Sequence, residues 1–289
     1  LQPNPLQALK ALRGLGLSLS AEKEGIRLDF GVTIDKSQLP PEQQALLGSE
    51  DTDNGTLQSV PSGAYGVLGL TGLDKVASGF IQQAQGNPDF ARIAQQLNLA
   101  SVVSHLSGDA SLEVGPGRTQ FPGGAVLIGT DDEAGMQQFL DDAARQLLQG
   151  SSGPSPIQSE TYKGVTIHSA QIPDAEQIGA EPAYAVANGM AIIATTPDEV
   201  KAVIDAHDGT NLQSAPTFQT ASAQIPQGSS LLYLDVQAIL GALQPQLESS
   251  FGATFTQLIA PNAKPVKAII LTGENGEKAA LAHLFILIQ

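Results

Sequence analysis

Apolar and polar positions alternate one by one near the start of the chain. Leu15, Leu17 and Leu19 are separated by Gly16 and Ser18. Past a polar tip at residues 21–25, Ile26, Leu28, Phe30, Val32 and Ile34 are separated by Arg27, Asp29, Gly31 and Thr33. A period of two on both sides of a short glycine-containing turn predicts a β-hairpin with one buried face. Residues 35–59 lose the pattern and read as a loop, with one helical turn around 42–47. The period then lengthens. Leu73, Val76, Ala77, Phe80, Ile81 and Ala84 form one stripe of a helix over 73–85, and Asn87-Pro88 offers a cap and first-turn proline for a second helix. A hairpin is expected next, 101–106 and 110–114, turning at Ser107-Gly108-Asp109 and broken by Gly115-Pro116-Gly117.

Residues 123–209 read as a unit. A strand at 123–129 leads into Thr130-Asp131-Asp132-Glu133, which matches a capping box, Thr on the N3 amide and Glu reaching back. The helix it opens should bury Met136, Phe139, Leu140, Ala143, Leu147 and Leu148. Residues 150–156 form a flexible connector, and Val165 and Ile167 mark another strand. Asn188-Gly189 sits between two apolar runs and predicts a type I′ hairpin, which needs two positive φ angles. Thr196-Pro197-Asp198-Glu199 is a second capping box, ahead of a helix burying Val200, Val203 and Ile204. Phe218 and Ala221 suggest a short helix, Asp235 caps a helix carrying Val236, Ile239, Leu240, Leu243 and Leu247, and a last hairpin turns at Asn275-Gly276.

One segment is written twice. Val60-Pro61-Ser62-Gly63 and Ile225-Pro226-Gln227-Gly228 each precede an apolar strand and an amphipathic helix, and each copy ends in a hairpin. The predicted class is α+β: repeated strand-helix-hairpin units forming antiparallel sheet, covered by amphipathic helices. Two repeat regions are expected, 1–120 and 121–289, or one continuous domain. Residues 5–13 lack the Val-Pro-x-Gly strand that precedes the other units. The chain is therefore expected to begin partway into a repeat, with an N-terminal anchor allowed ahead of it.

Composition narrows function by exclusion. Of 289 residues 42% are hydrophobic, enough for a core, whereas aromatics are 4% and Trp is absent, so that core is aliphatic. The formal charge of −15 repels phosphate backbones and anionic lipid, which argues against a nucleic-acid partner. Without cysteine there is no disulfide, thiolate catalysis or Cys-ligated zinc. No apolar run reaches the ~20 residues of a membrane helix.

Candidate chemistry is sparse. His105, His168, His207 and His283 lie at no metal-ligand spacing and are read as structural or surface residues. There is no GxSxG elbow, phosphate loop or dinucleotide fingerprint. Ser20-Ala21-Glu22-Lys23 matches SxxK by letters only, since it spans a hairpin tip. In the acidic loop at 50–55, Asp51 and Asp53 are the best candidates for binding Ca²⁺. The EF-hand pattern nevertheless wants ligands where Gly55 and Ser62 stand, and a solvated turn is the plainer reading. Asn54-Gly55-Thr56 is a formal glycosylation sequon. No cofactor and no catalytic residue are assigned.

Gly123-Gly124-Ala125-Val126, the helix to Leu148, Glu160-Thr161-Tyr162-Lys163-Gly164-Val165, the strand pair 183–194, Pro197-Asp198-Glu199-Val200, Phe218 and the second repeated strand through Asp235 together resemble the bacterial domain-of-unknown-function 3352 family. The resemblance implies an exported, signal-bearing or membrane-anchored protein of repeated α+β units, and no activity. The expected function is a non-enzymatic extracytoplasmic structural or protein-interaction protein, such as a subunit of a cell-surface assembly, with a protein partner or self-assembly. The alternative is a carrier or binding module for a lipid or other apolar ligand.

Overall fold

The computed structural model describes residues 11–39, 53–84, 92, 99–118, 121–149, 157–171, 179–276 and 278–289. Twelve strands and seven helices are present among them, so the class is α+β. The strands are β1 (Leu12–Glu22), β2 (Gly25–Ile34), β3 (Gly66–Leu70), β4 (Leu106–Gly115), β5 (Gly123–Thr130), β6 (Ile157–Tyr162), β7 (Val165–Ala170), β8 (Ala183–Ala187), β9 (Met190–Ala194), β10 (Ser230–Asp235), β11 (Val266–Asn275) and β12 (Ala279–Ile288). The helices are α1 (Leu73–Ala84), α2 (Leu99–Val103), α3 (Glu133–Gln149), α4 (Pro197–Asp208), α5 (Pro216–Ser222), α6 (Val236–Phe251) and α7 (Ala260–Ala263). Contacts group the chain into two compact units. Unit 1 takes Leu1–Asp53, Tyr65–Thr71 and Gln213–Gln289, and unit 2 takes Asn54–Ala64 and Gly72–Leu212. Each unit gathers segments from both sides of residue 120.

Unit 1 holds six antiparallel strands in the order β1-β2-β12-β11-β10-β3. Because side chains alternate across a strand, register sorts them into two faces. On one face a row runs through Arg27, Phe285, Ile270, Tyr233 and Val67. The last four are at most 1% exposed. Helices α5 and α6 pack on β11, with Phe218 of α5 set edge-on to Tyr233 at 5.1 Å. Asp235 caps α6 as expected, its carboxylate accepting from the Ala238 amide at 2.9 Å.

Unit 2 holds the other six, in the order β4-β5-β9-β8-β7-β6. Leu127, Ile192, Ala185 and Ile167 share one face, and α4 covers it with Val200, Val203 and Ile204, all buried. On the opposite face α3 sets Met136 and Leu140 on Ala191, against Ile128, Tyr184 and Val186. The β8–β9 turn has Asn188 at φ 55° and Gly189 at φ 69°, the type I′ geometry that its sequence predicts.

Several expectations are corrected. Residues 99–103 are helical, so the hairpin at 101–106 and 110–114 is absent; β4 is one strand, irregular between Leu106 and Ala110, and its hairpin partner is β5. Gly108, at φ 102°, absorbs that irregularity. The cap of α3 is Asp132 rather than Thr130: Asp132 Oδ1 accepts from the Gly135 amide at 2.9 Å. The Thr130 hydroxyl donates to the His105 carbonyl at 2.6 Å, and Glu133 accepts from the Gly189 amide instead of reaching back. Leu147 is 75% exposed and Leu243 is 40% exposed, so neither is core. Strand β6 had no expectation; it pairs with β7 around Lys163-Gly164, both at positive φ. The helical turn at 42–47, the second helix after Asn87-Pro88 and the connector at 150–156 lie outside the described residues, apart from helical Arg92.

Candidate functional site

The hairpin of β1 and β2 forms as its alternation predicts, but its leucine face is not buried. Leu15, Leu17 and Leu19 are 65%, 73% and 72% exposed. They begin rows that cross unit 1. One row is a ladder of six leucines, Leu19, Leu28, Leu284, Leu271, Leu232 and Leu68, one from each strand. Beside it run Ala21, Ile26, Ile286, Ile269 and Leu234 on one flank, and Leu17, Phe30, Ala282, Gly273, Ser230 and Leu70 on the other. No large apolar side chain in these rows is buried, and none of the rows carries a charge.

Five inter-strand gaps of ~4.8 Å and about seven residues of rise give this face a footprint on the order of 500 Å². That is at the upper end of what a monomer ordinarily exposes as one apolar patch. The face ends at β1, whose outer edge has no strand partner among the described residues. Between Arg13 and Glu22 this edge carries neither proline nor charge, the devices that normally keep an edge from pairing. An apolar face and an unguarded strand edge thus meet at β1.

The titratable residues singled out in the sequence do not converge. His105 Nδ1 lies 3.0 Å from Asp132 Oδ2. His168 stacks on Tyr184 at 5.0 Å and contacts Ser159 Oγ. His207 Nδ1 is 2.9 Å from Ser59 Oγ. His283, on the helix-covered face of unit 1, sits between two carboxylates, Nδ1 at 2.6 Å from Asp29 and Nε2 at 3.3 Å from Glu274. Burial would raise the Asp29 carboxyl, but hydrogen bonds from His283 and Arg27 hold it below the usual range. Ser20 donates to Glu22 at 2.8 Å. Asp51 lies outside the described residues and Asp53 is exposed. Among the described residues no group of three His, Asp or Glu is placed to hold a metal. Asn54 and Thr56 of the sequon are tied into β4, Asn54 donating to the Ala110 carbonyl at 2.8 Å and Thr56 meeting Ser111 at 2.6 Å.

The residue that sequence reasoning missed is Glu113. In β4 the alternation suggests Leu112 and Val114 inside and Ser111 and Glu113 outside. The structure inverts this: Leu112 and Val114 are 45% and 39% exposed, Ser111 and Glu113 2% and 3%. Polar groups at 54–56 meet the polar side of the strand, so that side is the one covered. Burial, and then the charge of Glu199, push the Glu113 carboxyl up to about 7.

Fold and site define an α+β protein of antiparallel strands under amphipathic helices, with one sheet face left open. The chain belongs to the family described as protein of unknown function (DUF3352), which matches residues 103–260. No curated protein matches it. Two solved structures are similar, both of TP0453. Crystal form III has 12% identity and a TM-score of 0.39, covering 80% of this chain and 92% of that one. Crystal form I has 13% identity and a TM-score of 0.37, covering 78% and 74%. Among the described residues no helix is long and apolar enough to cross a membrane.

Proposed function

We propose that this is a non-enzymatic, extracytoplasmic structural protein that assembles with a second copy of itself along the open edge of unit 1. The observation that carries the reading is the uncharged leucine ladder running out to a free edge. Antiparallel pairing of β1 with its copy, Leu17 opposite Leu17 and Leu15 opposite Leu19, keeps every leucine on the same face. It adds backbone hydrogen bonds and extends the apolar face from six strands to twelve. Native mass spectrometry and light scattering at tens of micromolar should give a dimer, and Leu17→Lys a folded monomer, an estimate in the range of ordinary assembly affinities. A wild-type monomer overturns the reading. If that monomer co-floats with phosphatidylcholine vesicles, the open face is a lipid-binding surface and the carrier alternative takes its place.

We infer an internal duplication as well, which would suit a structural role. With α2, α4, α5 and α7 set aside as insertions, the order hairpin, strand, helix, hairpin recurs as β1/β2, β3, α1, β4/β5 and as β8/β9, β10, α6, β11/β12. The two repeated strands pair with each other, Leu68 opposite Leu232. Each copy also lends the second strand of its first hairpin to the last strand of the other, β2 to β12 and β9 to β5. Superposition of residues 66–130 on 230–288 with strands in sequence order tests this, and a fit that needs a different strand order overturns it. An extracytoplasmic location is tested by fractionating source cells; recovery in the cytosol alone removes it.

A further inference from the structure

Unit 2 contains a cavity of about 340 Å³, at the small end of ligand pockets. Small apolar residues make one part of its wall, Pro61 and Ala64 on one side, Gly115 and Pro116 after β4, and Ala202 of α4, while Arg118, Thr196 and Asp198 line the rest. Two carboxylates project into this apolar setting. Glu113 is 3% exposed, and its side chain has no hydrogen-bond partner among the described residues. Its Oε2 would lie only 3.4 Å from a methyl group placed on Gly115. Glu199 enters from the first turn of α4, fixed by the Thr195 hydroxyl, which donates to its Oε2. The Glu199 carboxylate lies directly against Gly123, in space a Cβ there would occupy.

The one cation on the cavity wall is already engaged. Arg118 donates to Asp198 at 2.8 and 3.0 Å and to Glu181 at 3.1 Å. Glu113 and Glu199 therefore repel one another with no positive group between them. A buried carboxylate without a partner is costly, and a cation seated between the two would remove that cost. With fewer than three placed acidic or histidine ligands, the site does not meet the oxygen count a divalent ion needs. Gly, Ala and Pro walls suit methylene groups instead.

We propose that this cavity binds the head of a primary alkylammonium compound, the charged nitrogen held between Glu113 and Glu199 and the short alkyl stem lying against Ala64, Pro116 and Ala202. This is independent of self-assembly, since it uses unit 2 alone. Binding selects the ionised form of Glu113, so affinity rises with pH towards a plateau above about 7 and falls about tenfold per pH unit below it.

The test is titration of the full chain with n-butylammonium chloride, read by calorimetry and by ligand-observed NMR. The expected result is saturable binding at pH 8 with Kd near about 1 mM, weakened at least tenfold in Glu113→Gln and Glu199→Gln. Thermal melts establish that each variant folds. Ala202→Leu, which fills the cavity without touching either charge, should abolish binding and serves if a charge variant does not fold. No saturation by wild type at about 50 mM, equal binding by Glu113→Gln, or equal binding of neutral n-butanol would each overturn the proposal. So would displacement of butylammonium by an equal concentration of calcium chloride.

Discussion

The two units put strands of similar chemistry to opposite use. In unit 2 the sheet is covered twice, by α4 on Leu127, Ile192 and Ala185 and by α3 on Ala191 and Ile128. In unit 1 only the row through Phe285, Ile270 and Tyr233 is covered, while the leucine ladder behind it stays partly or fully exposed. Yet β12, Ala-Ala-Leu-Ala-His-Leu-Phe-Ile-Leu-Ile, is apolar at almost every position, the signature of a strand covered on both sides. A strand that faces water on one side alternates instead. The composition of unit 1 thus anticipates a second cover that no described element supplies.

The sharpest way to break this contrast is truncation on each side of it. Ile192→Ala, at a position 1% exposed beneath α4, should cost about 2–5 kcal/mol. Leu284→Ala, in the open ladder, should cost about 1 kcal/mol or less in dilute, monomeric protein. The denaturant midpoints of the two variants report the difference. Equal losses would mean that the ladder is already packed, and the comparison would collapse.

The double cover of unit 2 has its own cost, because it seals in Glu113. That carboxyl has its folded-state value raised from 4.5 to about 7. Between those values the folded chain binds more protons than the unfolded one, so stability falls as pH rises, and above about 7 the full penalty applies. Glu113→Gln should therefore stabilise at pH 8 by on the order of 3 kcal/mol, and leave stability near pH 4 almost unchanged. Urea melts of both proteins from pH 4 to 8 measure it. A constant gap across that range would show that Glu113 does not titrate as its burial demands.

What the sequence revealed and what it hid divide along one line. Elements defined by their own residues were legible: the Asn188-Gly189 turn, the Thr196 cap, the β1–β2 hairpin and the buried stripe of α4. What depended on distant segments was not. Leu15, Leu17 and Leu19 alternate as a core face does, and only the absence of a described partner leaves them exposed. Ser111 and Glu113 alternate as a solvent face does, but Asn54 and Thr56, more than fifty residues earlier, close over that side of β4. The β-branched pair Val102 and Val103 favoured a strand, yet Val102 packs with Met136 and Leu140 from a helix. Glu113 could have been found only by asking which strand face meets a polar segment, a question that a single sequence leaves unanswered.

The two covers of unit 2 also differ in how they are fastened, which gives the smallest effect. Helix α4 begins where its letters say it should: the Thr196 hydroxyl accepts from the Glu199 amide at 3.4 Å, with Pro197 at the first helical position, although the Glu199 carboxylate accepts from the Thr195 hydroxyl and does not complete the expected capping box. Helix α3 begins two residues later than Thr130: that hydroxyl donates to the His105 carbonyl and accepts from the Asp132 amide, and the amide of Gly135 falls to Asp132. A carboxylate accepting a backbone N–H is the stronger bond of the two, and it places negative charge at the positive end of the helix. Thr196→Ala and Asp132→Ala should thus each cost about 1 kcal/mol, with Asp132→Ala the larger. If Asp132→Ala matches wild type in its denaturant midpoint, the cap of α3 lies elsewhere, and Thr130 is the residue to which it would return.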